Sequence, residues 1–331
     1  MAVGANDNTA GRNAVILGSD EKLFPAAAFA AERLASLNPR SETDIILFTD
    51  SARELESAAG LTLPYQVRPV VRPSEGRVVD PVYLRYFLPE ALRGEYRRLL
   101  YIDVDTWVEN DRPFALFDLA MGSHPLAGVR DVCVAYLRDA QEMASARAET
   151  YGNKYLNSGV LLIDTEKFVA DDIFAKLLAL VADTRTPLLH RDQSALNLMF
   201  KGDWLELSPG FNMMPPTWRS DVRRVFDPMI VHFAGALKPW HGPRFIIDHP
   251  ARAAMERYFP TSRWKGFLTQ YFSLRDALAA AQTPPAPPQR DFHFGMDFPS
   301  RPVFLDYLRS TSFADVEAGL TTPHLDLLPL R

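Results

Sequence analysis

A single cysteine, Cys133, is the first constraint on this chain of 331 residues. One thiol cannot close an internal disulfide, and it rules out a cysteine-built zinc site within one chain, so a reducing compartment is expected. Long apolar runs are missing too. No uninterrupted stretch approaches the roughly 20 residues that a membrane-spanning helix needs, and FAKLLALVA is short and carries Lys176. The opening MAVGANDNTAGRN lacks the apolar core of a signal peptide. A positive charge excess is also lacking. The formal net charge of -5 argues against a general nucleic-acid binder, because neutralising phosphates takes a locally dominant basic face. No internal repeat is present. What these absences leave is a cytoplasmic globular protein with apolar material for a sizeable core.

The apolar segments alternate in character. NAVILGSD is a β-branched run closing on Gly18 and Ser19, and Phe24, Ala27, Ala31 and Leu34 follow at helical spacing. TDIILFTD repeats the strand signal, and Ser51 opens the helix ARELESAAG, which Gly60 stops. QVRPVV contains Pro69 and fits an edge strand or loop. DPVYLRYFLPEAL reads as helical, and RRLLYIDVD as a strand buried on both faces. Further strand signals are HPLAGVRD, LNSGVLLID and DPMIVHF, with one helical stretch, TEKFVADDIFAKLLALVAD, between the last two. The alternation from residue 13 to 105 predicts a doubly wound α/β layer.

The segment at residues 99–111, LLYIDVDTWVEND, ends an apolar run in two carboxylates one residue apart. In a strand, Asp103 and Asp105 project to one face, at the edge where open parallel sheets bind ligands. Two acids so placed repel unless a cation lies between them, and hard oxygen donors suit Mg²⁺ or Mn²⁺. By itself an Asp-x-Asp pair is better explained by a loop start, with one acid capping the helix that NDRPFALF suggests. It also resembles the first motif of haloacid-dehalogenase-type phosphatases. That pattern, however, wants Thr or Val where Trp107 stands and a later Gly-Asp-x-x-x-Asp, which GDWLEL from Gly202 does not supply.

A second stretch, IVHFAGALKPWH, sets His232, Gly235, Lys238, Pro239 and Trp240 in the pattern His-x-x-Gly-x-x-Lys-Pro-Trp. Taken in order with Asp103-Val104-Asp105, LNSGVLLID and RDQSALN, it resembles glycosyltransferase family 8, the family of glycogenin and bacterial lipopolysaccharide galactosyltransferases. The resemblance runs from about Ala14 to Trp240.

It implies a GT-A fold: a Rossmann-like, mostly parallel sheet with helices on both faces, here with a C-terminal helical or irregular extension. It also implies a UDP-hexose donor, a saccharide or lipid-linked glycan acceptor, an α-linked product formed with retention, and a divalent metal, Mn²⁺ or Mg²⁺. On matching positions, Asp103, Asp105 and His232 become metal ligands, and Lys238 and Gly235 meet the donor diphosphate. Arg85 lies near the phosphates, with Gly18, Asp20 and Val104 also on the donor side. Asp131, Asn157, Asp192 and Gln193 surround the donor sugar, the last two as the catalytic candidates. His190 and His241 lack such support and read as surface or supporting residues.

The residue types suit that chemistry. An imidazole beside two carboxylates moves preference from Mg²⁺ towards Mn²⁺, and Lys238 adds a point charge for the same leaving group. One departure concerns the base. Where the family carries Asp-x-Asn-Tyr, this chain reads Asp20, Glu21, Lys22, Leu23, which removes the amide and the stacking ring. Phe24 replaces the ring only if the turn differs by one residue.

Expected boundaries are a polar, flexible lead-in at 1–12, a catalytic domain at 13–250 and a helical segment at 251–282. A proline-rich linker at 283–290 and a tail at 291–331 that packs on the body or a partner complete the chain. Acceptor contacts fall to RDAQEMASARAETYGNKY and PGFNMMPPTWRSD, where Met213, Met214 and Trp218 either stack on a sugar or simply pack. From Thr261, a helix carrying Trp264, Phe267, Leu268, Tyr271 and Leu278 on one side docks on the protein's own core or lies on an anionic membrane surface. The second choice would put the protein at the inner membrane face.

Overall fold

The computed structural model describes residues 11–70, 83–131, 154–183, 188, 190–214, 222–234, 238–240, 249–270 and 307–325. The linker at 283–290 and Gly235, His241, Trp218, Tyr271 and Leu278 lie outside them, as does most of the lead-in.

The strand signals become β1 (Asn13–Ser19), β2 (Thr43–Thr49), β3 (Gln66–Pro69), β4 (Arg98–Ile102), β6 (Leu126–Arg130) and β7 (Leu156–Asp164). Helices α1 (Phe24–Leu37), α2 (Ala52–Ala59) and α3 (Leu84–Ala91) connect the first four. Ser51 caps α2 by accepting from the Glu54 amide, and β3, with Pro69 in it, is the edge strand. The seven-stranded sheet has the order β3-β2-β1-β4-β7-β6-β8, with β8 at Leu205–Leu207. Side chains alternate along β1. Val15 and Leu17 enter the core under α1, whereas Ala14 and Ile16 enter the one shared with α3 and with α5 (Ile173–Ala182) and α6 (Asp192–Phe200). Burial on both faces explains the near-continuous apolar runs.

Strand β7 runs against its neighbours, antiparallel to β4 and to β6, while the other pairings described within this sheet are parallel. Its first residues therefore lie at the edge where β1 and β4 end. Strand order also reverses between β1 and β4, and such a switch point opens a ligand crevice beyond the carboxyl ends. DPMIVHF does not join this sheet. Its strand, β9 (Ile230–His232), pairs antiparallel with β5 (Thr106–Val108), a short strand with no counterpart among the sequence signals. NDRPFALF forms a 3-10 helix at Arg112–Asp118 with Asp111 at its cap position, so neither Asp103 nor Asp105 caps it.

Other expectations change as well. TEKFVADDIFAKLLALVAD breaks into α4 (Thr165–Ala170) and α5, and Asp172 turns between them at φ 51°. A helix spans Pro250–Thr261 and ends where one was expected to begin. Phe267 and Leu268, buried, and Trp264, half-buried, pack on the large core beside Phe24, Trp240 and Phe259, which is the first of the two placements expected for them. Among the described residues no helix is long and apolar enough to cross one. Met213 and Met214 are buried and unavailable as a sugar platform. They share a cluster with Val225, Phe226, Tyr307, Leu308 and Phe313, which ties the C-terminal segment to the body.

Candidate active site

Asp103 and Asp105 lie just past β4, in the turn before β5, and so not on one face of a strand. Main-chain bonds hold this turn: the Asp103 amide donates to Gly159 O at 2.8 Å and the Phe233 amide to Asp105 O at 2.9 Å. Because β5 and β9 pair Thr106 with His232, the imidazole arrives beside the turn. Its Nε2 lies 3.4 Å from Asp105 Oδ1 and 3.9 Å from Asp103 Oδ2.

Each carboxylate keeps its other oxygen occupied. Asp103 Oδ1 accepts from Arg85 Nη2 at 2.9 Å and from the Tyr101 hydroxyl at 2.8 Å. Asp105 Oδ2 pairs with Lys238, whose ammonium also donates to Phe233 O at 3.1 Å. Burial alone would raise the Asp105 pKa, but His232, whenever its ring is protonated, and Lys238 outweigh it and hold the carboxyl well below the usual carboxylate range. Val104, between the two acids, is buried.

These three residues fit a divalent cation. One ligand atom from each of Asp103, Asp105 and His232 lies within 4.8 Å of the others, and two donors bonded to one ion at about 2.0–2.6 Å can be no more than about 5 Å apart. The set of two hard oxygens and one imidazole nitrogen suits Mn²⁺.

Arg85 is 7% exposed and engaged with protein oxygens. Besides Asp103 it reaches Ser158 O at 2.6 Å and Asp192 Oδ2 at 3.1 Å. Burial works against its charge, yet Asp103 and Asp192 outweigh burial and keep it a cation. The geometry thus makes Arg85 a clamp on two acids. Burial also pushes the Asp192 carboxyl up, with Arg85 opposing and Asp103 adding to the rise. Arg191, just before it, has φ 46° and ψ -111°, a strained turn of the sort that collects at functional sites.

Asp131, Asn157 and Gln193 form one group. Asp131 Oδ2 accepts from Asn157 Nδ2 at 2.9 Å and from Gln193 Nε2 at 3.1 Å. Gln193 Oε1 accepts from the Ser158 amide at 3.1 Å. Asn157 is therefore no mere turn residue, and Asp192 is buried rather than on an exposed helix start. His190 is half-buried, and its amide donates to Ser194 Oγ.

At the end of β1, Gly18 lies against Leu84, whose Cδ1 would sit 3.1 Å from an added Cβ. Asp20 Oδ1 accepts from the Leu23 amide at 2.8 Å and so closes the turn into α1. Leu23 leans on the core and Phe24 is fully buried in it, which removes Phe24 as a substitute base-stacking ring.

Two residues escaped sequence reasoning. Asn212 Oδ1 lies 2.9 Å from His232 Nδ1, and a Cβ on Gly159 would come within 2.2 Å of His232 Cε1 and 3.0 Å of Asp103 Oδ2. Gly159 sat in a quoted motif, LNSGVLLID, whose glycine was the available signal. Asn212 lies in PGFNMMPPTWRSD, assigned above to acceptor contacts, and only folding brings it to His232.

Comparison with known proteins identifies the family and the fold. The profile described as Glycosyl transferase family 8 matches residues 14–243. A probable glycosyl transferase Gly of Streptococcus gordonii is 32% identical over 163 residues, covering 48% of this chain and 21% of that protein. The lipopolysaccharide 1,2-glucosyltransferase of Escherichia coli is 28% identical over 173 residues, covering 48% of this chain and 49% of that one. The chain thus spans less than half the length of either relative. Two structures of the galactosyltransferase LgtC, an active-site mutant and a complex with donor and acceptor sugar analogues, superpose with TM-scores of 0.61 and 0.57 at 23% and 24% identity. They cover 77% and 78% of this chain and 99% and 96% of theirs. The fold is accordingly GT-A, the phosphatase reading falls, and the chain belongs to glycosyltransferase family 8.

Proposed function

We propose that this protein is a metal-dependent, retaining hexosyltransferase that moves an α-linked glucose or galactose from a UDP-sugar to a saccharide or lipid-linked glycan. The observation that carries the reading is the convergence of Asp103, Asp105 and His232 beside Lys238 at the sheet's switch point. The named activities of the E. coli relative and of LgtC support the substrate class.

A divalent ion held by Asp103, Asp105 and His232 would act as a Lewis acid towards the charge that grows on the departing diphosphate. The chain's own residues do the rest. Lys238, now paired with Asp105, swings its charge to the diphosphate oxygens as the donor enters. Gly235, outside the described residues, admits the backbone to the same oxygens. Arg85 keeps Asp103 and Asp192 aligned. Asp131, Asn157 and Gln193 present a pre-hydrogen-bonded rim to the sugar hydroxyls, and Gly18, Asp20 and Val104 border the nucleoside.

Retention needs either a nucleophile beneath the sugar or attack from the leaving-group face. Gln193 is a weak nucleophile with both ends of its amide engaged, and Asp192 is buried against Arg85. Same-face attack is therefore favoured. The acceptor oxygen bonds to the anomeric carbon, the bond to UDP breaks with its electron pair leaving on the diphosphate, and the acceptor proton passes to a donor phosphate oxygen.

UDP release from UDP-glucose and UDP-galactose with Mn²⁺ tests this, with the product anomer read by NMR. Asp103→Asn is expected to lower the rate at least ~100-fold, as loss of a group stabilising transition-state charge does. Donor binding without turnover on a panel of acceptors would favour a non-catalytic nucleotide-sugar-binding protein, for which the altered Lys22 and Leu23 turn is the motivating feature.

A further inference from the structure

A chain of side-chain amides runs from the sugar side of the crevice to the back of His232, and its hydrogen-bond polarity can be worked out from one end. The Gly159 main-chain N–H can only donate, and it donates to Asn157 Oδ1 at 3.0 Å. The oxygen of Asn157 is thereby identified, and its NH₂ faces the carboxylate of Asp131, which only accepts when ionised. Asn212 approaches that same Asn157 oxygen at 2.8 Å, so the group it offers is its own NH₂. The Asn212 oxygen is then the atom turned to His232 Nδ1 at 2.9 Å. Oxygen cannot donate there, so the ring hydrogen belongs on Nδ1, leaving the Nε2 lone pair towards Asp103 and Asp105.

We propose that Asn212 is a positioning residue that fixes His232 in the Nδ1–H tautomer, with its orientation dictated through Asn157 by the Gly159 amide. Asn212 is 1% and Asn157 5% exposed, so neither bond is shared with bulk water. The nearby carboxylates would by themselves pull the ring hydrogen to Nε2, which would remove the lone pair. The amide chain counters that pull and makes the ring ready to coordinate. It also couples the sugar side to the ion side, because Asp131, which Gln193 shares, terminates the chain.

The inference rests on the reading of His232 as a metal ligand for its purpose, but the tautomer is tested without metal. Long-range ¹H–¹⁵N correlation on ¹⁵N-histidine-labelled, metal-free full-length protein at alkaline pH, with all imidazoles neutral, reads it, and His232→Gln assigns the signal. The expected result is Nδ1–H for the wild type and a shift to Nε2–H in Asn212→Leu. Asn212→Asp, which keeps an oxygen towards the ring, is expected to retain Nδ1–H. An Nε2–H wild type, or an Asn212→Leu ring unchanged in a folded protein, overturns the proposal. Should Asn212→Leu fail to fold, the wild-type tautomer still decides. Added Mn²⁺ alone then separates the two ideas: broadening of the His232 signals supports the metal reading, with ~10–100-fold more Mn²⁺ needed in Asn212→Leu. An Nδ1–H ring that Mn²⁺ does not broaden leaves the tautomer assignment standing and removes the metal reading.

Discussion

Thr106 and His232 face each other across the two-stranded β5–β9 ribbon. That register sets the imidazole beside the Asp103–Asp105 turn, and a one-residue slip would turn it to the opposite face. The ribbon is short, so the walls of the crevice must hold the ring in place.

Gly159 is one such wall. An added Cβ would meet His232 Cε1 at 2.2 Å and Nδ1 at 2.6 Å. Gly159→Ala is expected to cost about 1–3 kcal/mol from overpacking and to weaken Mn²⁺ binding ~10–100-fold. Thermal unfolding and Mn²⁺ titration of the purified variant measure both, and unchanged Mn²⁺ binding would show that the ring need not stay where it is.

Arg85 joins Asp103 to Asp192 in a buried cluster. Arg85→Leu leaves both acids without their buried cation, and a loss of about 3–5 kcal/mol is expected in urea unfolding. Arg85→Lys recovers only part, because an ammonium cannot reproduce the fork that meets Asp103, Asp192 and Ser158 O.

Glu109 supplies a pH signature away from the crevice. His249 Nδ1 accepts from the Ala251 amide, so its ring hydrogen is on Nε2, facing Glu109 Oε1 at 3.3 Å. Burial would raise the Glu109 pKa, but the adjacent His249 ring and the bond from Trp107 outweigh it and lower it from 4.5. A depressed folded value stabilises above the unfolded pKa and is lost as pH falls through the folded one. Glu109→Gln is therefore expected to cost about 1 kcal/mol at pH 7, with the gap to wild type narrowing below pH 4.5. A gap that stays constant from pH 7 down to pH 3 in urea unfolding would contradict this.

The C-terminal segment contributes a buried acid. Asp315, fully buried, accepts from the Ser208 amide at 2.7 Å, immediately before the turn Pro209–Asn212 that carries Asn212. Tyr307 adds a bond to Glu206, itself paired with Arg130 at 2.8 Å. Asp315→Ala is expected to destabilise by about 1–3 kcal/mol and to reduce turnover more than Tyr307→Phe does. Chemical unfolding together with UDP-release rates checks the order.

The sequence by itself determined the apolar strands and their helices, because period and capping are local: Ser51 before α2 and Phe24 to Leu34 along α1 read directly. It also singled out Asp103, Asp105, His232 and Lys238 as candidates, since family motifs are strings of residue types. What only the tertiary structure decided is orientation. The run LNSGVLLID reads the same in either direction, yet its antiparallel placement brings Asn157, Ser158 and Gly159 to the crevice. Likewise no periodicity joins Asn212 to His232, or Arg85 to both Asp103 and Asp192. Those contacts join residues from 18 to 107 positions apart, and only the packing of separate elements, not local chain preference, fixes them.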